Sequence, residues 1–141
     1  MSSNEEFLPF WKRPLVYIAA PYRSDPVLNT NKAIKAADFL HRTGKVACVV
    51  PHLNLFWDFI FPASPEYWLE HDLALLVRCN ALYRIPGYSP GADQEERVAR
   101  ECGIPVFKDQ TDLLYWATTW RDNREELEEI ATKIERGRET T

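Results

Sequence analysis

A short apolar run near the start of the chain reads Leu15-Val-Tyr-Ile-Ala-Ala20 and ends at Pro21. A continuous apolar run of this length is typical of a strand that is covered on both faces in a parallel sheet. Asp25 then precedes Pro26, and an N-cap residue followed by proline predicts the start of a helix, which ends near Gly44. The domain is therefore expected to begin with a β-α unit.

The same alternation continues along the chain. Further strands are predicted over Val46–Val50, Ala81–Ile85 and Ile104–Phe107. Further helices are predicted over 65–79, 92–101 and most of 111–137, and the aromatic segment 53–61 is expected to be a loop or an irregular helix. This order indicates an α/β fold. We predict a small doubly wound (flavodoxin/Rossmann-like), mostly parallel sheet of four to five strands with helices on both faces.

Length and composition indicate one domain. The chain has 141 residues, 45% of them hydrophobic, which suits a single core over residues 1–141. Residues 1–13 are interpreted as an N-terminal arm that packs on the surface or on a second subunit, and only Arg136 to Thr141 are expected to be disordered. The net charge of −4 argues against a protein that binds long nucleic acid, whereas a small anionic ligand remains compatible with it.

The sequence shows no targeting or metal-binding pattern. Its apolar runs are too short to span a bilayer and its first residues lack a secretory signal, so we expect a cytoplasmic protein with no membrane partner. The histidines lack the spacing of a zinc site, and neither a metal nor an organic cofactor is predicted. The cysteines expected to be reduced, buried thiols are Cys48, Cys79 and Cys102.

Two acidic residues fall on apolar faces of the predicted helices. Asp72 lies one turn before Leu76, so its carboxylate is expected to project from an apolar stripe. Glu95 lies one turn before Ala99 and is expected to face inward, whereas Glu96 is expected to face outward. Two carboxylates in one cleft, one ionised by a helix N-terminus and one in an apolar setting, can divide nucleophile and acid/base roles.

A structural explanation of these acids stays open. Asp72 can instead hydrogen-bond the backbone of a neighbouring loop, and Glu95 can simply favour the positive end of a helix dipole. The functional explanation gains support because Glu95 follows a Ser-Pro-Gly turn at the end of a strand, where ligands bind in parallel sheets.

Three segments carry a resemblance to a known family. They are Val16-Tyr-Ile-Ala-Ala-Pro-Tyr-Arg23, Glu70-His-Asp72-Leu and Ser89-Pro-Gly-Ala-Asp-Gln-Glu95, the last followed by Gly103-Ile-Pro-Val. Together they resemble the nucleoside 2-deoxyribosyltransferase-like superfamily, which includes the 2'-deoxynucleoside 5'-monophosphate N-glycosidases, over roughly Leu15 to Phe107. The resemblance implies that Glu95 is the catalytic glutamate of an S-x-G-x-x-x-E motif and Asp72 an acid/base residue. It also implies that Tyr17 and Arg23 line the substrate pocket. In the mechanism that we expect, Tyr17 holds the Glu95 carboxylate in position by a hydrogen bond.

Ser89 indicates the substrate class within this resemblance. Transferases that act on free nucleosides tend to have an acidic residue there, whereas the phosphate-handling glycosidases tend to have serine. A serine hydroxyl beside backbone N–H groups, with Gly91 in the same turn, can bind a phosphate, and Arg23 can pair with it. The alternatives are a helix cap for Ser89 and an exposed loop cation for Arg23. The family's small glycine and serine residues are replaced here by alanine and proline in the first loop.

Several aromatic side chains are further candidates. Tyr22 and His52 can contact a base or ribose, although each is also typical of a packed loop. Phe56, Trp57 and Phe59 can form a stacking wall for a nucleobase, but core packing is the favoured interpretation.

The resemblance implies an N-glycosidase that hydrolyses a nucleoside 5'-monophosphate through a covalent glutamyl intermediate. The alternatives are a deoxyribosyltransferase that exchanges bases and a non-catalytic module that senses a nucleotide. A homodimer or larger homo-oligomer is also implied. A purely structural oligomer is a third possibility, because Trp116, Trp120 and the amphipathic Leu127–Ile134 segment need burial.

Overall fold

Four parallel strands form the centre of the fold in the computed structural model, which describes residues 7–121 and 125–139. The strands are β1 (Leu15–Ala19), β2 (Ala47–Val49), β3 (Ala81–Arg84) and β4 (Val106–Phe107), in the order β2-β1-β3-β4. The register pairs Tyr17 with Val49 on one side and with Leu82 on the other. The predicted doubly wound α/β sheet is confirmed.

Six helices accompany the strands in the described part of the chain. They are α1 (Pro26–Arg42), α2 (Asn54–Ile60), α3 (Pro65–Leu76), α4 (Pro90–Glu101), α5 (Gln110–Thr119) and α6 (Glu125–Glu139). Short 3-10 turns cover Phe10–Lys12 and Pro51–Leu53. The predicted start of α1 is confirmed, since the side chain of Asp25 accepts a hydrogen bond from the Leu28 amide ahead of Pro26. The aromatic segment contains a regular α-helix, although it is only seven residues long.

Alternate side chains of β1 enter two separate cores. Val16 and Ile18 pack among buried residues of α1 and α5, whereas Tyr17 and Ala19 pack among buried residues of α3, α4 and β3. All four side chains are inaccessible to solvent. The central strand is therefore covered on both faces, which explains its continuous apolar run.

Several sequence predictions about packing are wrong. Cys102 is exposed, because α4 ends at Glu101 and leaves the cysteine at its C-terminal cap. Cys79 is buried, as predicted, whereas Cys48 is only half-buried. Glu96 does not simply face solvent: its carboxylate lies 3.9 Å from Arg84, 3.2 Å from Arg100 and 3.7 Å from Lys108.

The two ends of the described chain pack on each other. The backbone of Leu8 bonds to Gly44, and Arg13 donates to the carbonyls of His41 and Val46, so the arm lies on its own domain. Helix α6 contacts the turn at Phe10–Lys12. It continues to Glu139, so the predicted disorder is wrong for residues 136–139. Residues 1–6, 122–124, 140 and 141 and the side chains of residues 125–127, with Leu127 among them, lie outside the described residues.

Within residues 7–121 and 125–139, none of the helices has the length and apolar character that crossing a membrane requires.

Candidate functional site

A hydroxyl–carboxylate pair lies between β1 and α4. Tyr17 is fully buried, and Glu95, in the second turn of α4, is 7% exposed. The Tyr17 hydroxyl donates a hydrogen bond to Oε2 of Glu95. The inward orientation of Glu95 and its bond to Tyr17 are therefore both present, as the sequence predicts.

Burial controls the ionisation of this pair. Loss of solvation raises the pKa of Glu95 to about 7, and the charge of Asp72 acts in the same direction. The Tyr17 hydrogen bond and Arg84 oppose that rise because they stabilise the carboxylate. Burial and the two nearby carboxylates raise the pKa of Tyr17, so its hydroxyl stays protonated. Burial thus opposes the ionisation of Glu95 that its position near a helix N-terminus favours.

Asp72 completes a three-residue cluster with this pair. Its side chain is 15% exposed, and Oδ1 accepts hydrogen bonds from Asn54 Nδ2 at 2.8 Å and His71 Nδ1 at 3.1 Å. Burial raises the pKa of Asp72, although both hydrogen bonds oppose the rise. The structural explanation predicts that Asp72 bonds to the backbone of a neighbouring loop, whereas its hydrogen-bond partners here are side chains. We call Tyr17, Asp72 and Glu95 the acid cluster.

The start of α4 has a plain structural role. Ser89 is the N-cap, and its Oγ accepts a hydrogen bond from the Ala92 amide at 3.1 Å. A Cβ added at Gly91 would meet no atom of the described residues within 4 Å, so packing against them does not require glycine there. Arg23 is exposed and pairs with no carboxylate among the described residues. The cap interpretation of Ser89 is confirmed, and the phosphate role of Ser89 and Arg23 stays a prediction.

Tyr22 and His52 hold the loop after β1. Nε2 of His52 lies 2.8 Å from the Pro21 carbonyl, and its ring meets the Tyr22 ring edge-on at 5.4 Å. Because a carbonyl only accepts, Nε2 carries the proton, and burial lowers the pKa of His52. The other ring nitrogen, Nδ1, is buried and has no hydrogen-bond partner among the residues that the structure describes. Both side chains are packed residues. Tyr22 also lies near the cluster, since burial, Asp58 and then the charge of Asp72 raise its pKa.

Helix α2 presents an aromatic surface to solvent. Phe56 is 72% and Phe59 67% exposed, so the prediction of core packing is wrong for both. Trp57 is half-exposed and packs edge-on against Trp68 and His71. The reason is that Pro51 and His52 are the buried residues after β2, which leaves α2 outside the core.

Sequence reasoning missed Arg84. This arginine is buried at the end of β3, where Nη2 donates to the Gly87 carbonyl at 2.9 Å and pairs with Asp93 at 3.0 Å. It therefore fixes the β3–α4 loop and adds positive charge near Glu95. An arginine inside an otherwise apolar strand was the available signal.

The described residues contain no group of three or more histidine, cysteine, aspartate or glutamate side chains arranged to hold a metal ion.

Comparison with known proteins gives a family without an assigned activity. A family model described as a domain of unknown function (DUF7768) matches residues 14–109. The matched range contains all four strands and the whole acid cluster. No curated protein and no solved structure matches the chain.

Proposed function

The chain belongs to the DUF7768 family, and from the acid cluster we propose that it is an N-glycosidase that hydrolyses a nucleoside 5'-monophosphate to free base and sugar phosphate. One observation carries the proposal: a buried glutamate is bonded to a buried tyrosine and lies near a second, half-buried carboxyl group. A carboxylate that is desolvated but can ionise near pH 7 is a suitable nucleophile.

In the first proposed step, the ionised Glu95 attacks the anomeric carbon. The bond from that carbon to the base nitrogen breaks, its electron pair leaves with the base, and an ester to Glu95 forms. Asp72 supplies the proton to the departing base, and burial raises the pKa of this carboxyl above its ordinary value, which favours an acid/base role. Tyr17 holds Glu95 in place through its hydroxyl.

In the second proposed step, water attacks the same carbon. The ester bond breaks, Glu95 regains its carboxylate, and the proton released by water returns to Asp72. Sugar phosphate leaves as the second product, and no cofactor takes part. A second nucleobase in place of water would make the same site a transferase. The phosphate contacts implied by the resemblance are Arg23, Ser89 and Gly91.

The direct test compares the wild-type protein with Glu95→Ala and with Glu101→Gln, an exposed acid on the same helix. Each is incubated with ribo- and deoxyribonucleosides and their 5'-monophosphates, and the products are separated by liquid chromatography. We expect base release from monophosphates with wild type and Glu101→Gln, and a loss on the order of 10³-fold or more with Glu95→Ala.

Other outcomes would replace the proposal. Base exchange that needs an added nucleobase would make the protein a transferase. No base release from any substrate, with one nucleotide still raising the melting temperature, would make it a nucleotide-binding module.

We also propose that the protein self-associates through α2. The aromatic surface adjoins the acid cluster, because Asn54 of α2 bonds to Asp72, so a second copy seated there would help close the site. Sizing by light scattering is expected to show a dimer or larger oligomer that Phe56→Ser weakens. Tyr115→Ser, a control at an exposed aromatic on α5, should leave the size unchanged. A wild-type monomer at micromolar concentration would overturn this proposal.

A further inference from the structure

A cavity lies at the carboxyl ends of the two central strands. It has a volume of about 330 Å³ and is lined by the loops that follow β1 and β3 and by Asn29 and Lys32 of α1. Strands β1 and β3 are neighbours in the sheet. After β1 the chain forms β2 on one side of this pair, and after β3 it forms β4 on the other side. Ligands of doubly wound sheets bind at such switch points. The volume suits a small ligand.

The cavity and the acid cluster share one loop. Pro21 lines the cavity, and the next residue, Tyr22, is close enough to Asp72 for that charge to affect its pKa. The loop after β3 forms the other side of the cavity and lies in close contact with Pro21. Gly87 in this loop has φ of +132°, and a Cβ there would lie 2.7 Å from Cγ of Pro21. Only glycine suits that backbone and that contact. The cavity is thus a defined space next to the proposed reaction site.

Asn29 offers an unused acceptor at the cavity. The residue is 8% exposed, and its Nδ2 donates to the Tyr22 carbonyl at 3.2 Å and to Ser24 Oγ at 3.1 Å. Because the carbonyl can only accept, these bonds fix the orientation of the amide. No side chain or backbone group in the described residues donates to Oδ1 of Asn29. A ligand hydroxyl would satisfy this atom.

Lys32 supplies positive charge to the same space. It lies three residues after Asn29 on α1 and forms no ion pair among the described residues. The two acids nearest in sequence have other partners: Asp38 pairs with Arg42 at 2.8 Å, and Oδ1 of Asp25 accepts from the Leu28 amide. Ser24 Oγ accepts from Asn29, which leaves its own hydroxyl proton for a ligand. The polar lining therefore combines a cation, a donor and an acceptor.

We propose that this cavity binds the sugar-phosphate part of a small ligand, with the phosphate paired to Lys32 and Ser24 and a sugar hydroxyl bonded to Asn29. The choice of a sugar phosphate rests on the proposed function, which releases one as a product. The proposal assigns phosphate binding to Lys32 in addition to the Arg23 and Ser89 contacts that the resemblance implies.

The test is calorimetric titration of the full chain with 2-deoxyribose 5-phosphate, inorganic phosphate and 2-deoxyribose. We compare wild type with Lys32→Gln and with Lys35→Gln, which removes the same charge from an exposed position on the same helix. Sugar phosphate is expected to bind wild type and Lys35→Gln within twofold of each other, and Lys32→Gln at least tenfold more weakly. Binding should shift the amide resonance of Gly87.

Two results would overturn the proposal: equal affinity of the two lysine variants, or no binding of any probe together with no shift at Gly87. Its failure can be told apart from failure of the glycosidase. Sugar-phosphate binding that depends on Lys32, without base release from any nucleotide, would reject the glycosidase alone. Base release with a KM unchanged by Lys32→Gln would reject the cavity proposal alone.

Discussion

Tyr17 and Ile18 are adjacent on β1 and both fully buried, yet their surroundings differ in kind. Ile18 packs with aliphatic residues of α1 and α5. Tyr17 packs with aliphatic residues too, but its hydroxyl meets Glu95, the one buried acidic residue of the part of the chain that the structure describes. The two faces of one strand thus have different roles.

The Ile18 face mainly stabilises the fold, whereas the Tyr17 face holds ionisable groups of the candidate site. On the Ile18 face, burial of apolar surface stabilises the fold and the core cluster contains no charged group that offsets the gain. On the Tyr17 face, part of that gain is given up, because a carboxyl group is kept out of water and its pKa rises. Substitutions on the first face should act mainly on folding, and substitutions on the second on the ionisation of Glu95.

The largest expected effect is the loss of packing on the Ile18 face. Ile18→Ala should lower the free energy of unfolding by about 2–5 kcal/mol, because a fully buried side chain leaves a cavity. Ile34→Ala, at an exposed position of α1, should change it by less than about 0.5 kcal/mol. Urea denaturation measures both. Similar losses for the two variants would contradict the assignment of Ile18 to a close-packed core.

A smaller effect should appear in the pH dependence of stability. The folded pKa of Glu95 is raised from 4.5 to about 7, so between these values the folded state binds more protons than the unfolded one. The contribution of Glu95 to the free energy of unfolding is therefore fully present below about pH 4.5. It decreases as the pH rises toward 7, by up to about 3 kcal/mol. Glu95→Gln should remove that fall.

Urea denaturation at pH 5 and pH 8 provides the comparison. The loss of stability between these two values should be smaller in Glu95→Gln than in wild type, whereas Glu101→Gln should behave as wild type. The same loss in all three proteins would mean that Glu95 is not kept out of water in solution.

The smallest expected effect comes from a single hydroxyl. Tyr17→Phe removes the hydrogen bond that lowers the pKa of Glu95, so that pKa should rise further and base release should require higher pH. The rate at pH 7 should fall about tenfold, with partial recovery at pH 9. Tyr83→Phe removes a buried hydroxyl from the Ile18 face and should leave the pH profile unchanged. Identical profiles for the two variants would remove Tyr17 as a positioning residue.

The positions of the strands could be predicted from the sequence, because the pattern that indicates each strand lies within a few consecutive residues. Each of the first three strands is an apolar run ended within two residues by proline, and the structure places them within one or two residues of the prediction. The inward face of Glu95 was predictable for the same reason, since helical spacing relates it to Ala99. Local spacing determines which face a side chain occupies.

Contacts between distant segments were not predictable in this way. The burial of Arg84 depends on loop carbonyls and on Asp93, which are paired only once the β3–α4 loop has folded. The exposure of Phe56 depends on where α2 lies, because an aromatic run is equally compatible with a core and with a surface. The raised pKa of Glu95 depends on packing from several elements, which its proximity to a helix start did not reveal.

Helix α6 and the N-terminal turn at Phe10–Lys12 both lie outside the range matched by the family model. They pack on each other: Lys12 lies 3.9 Å from Glu135, and Arg138 lies over the Trp11 ring. Each therefore packs on the other, and the turn also packs on the sheet domain, because the Phe10 ring meets the His41 ring of α1 edge-on at 5.0 Å. In evolutionary terms, such segments are expected to be inherited or lost as a pair, so a family member that lacks one should lack the other.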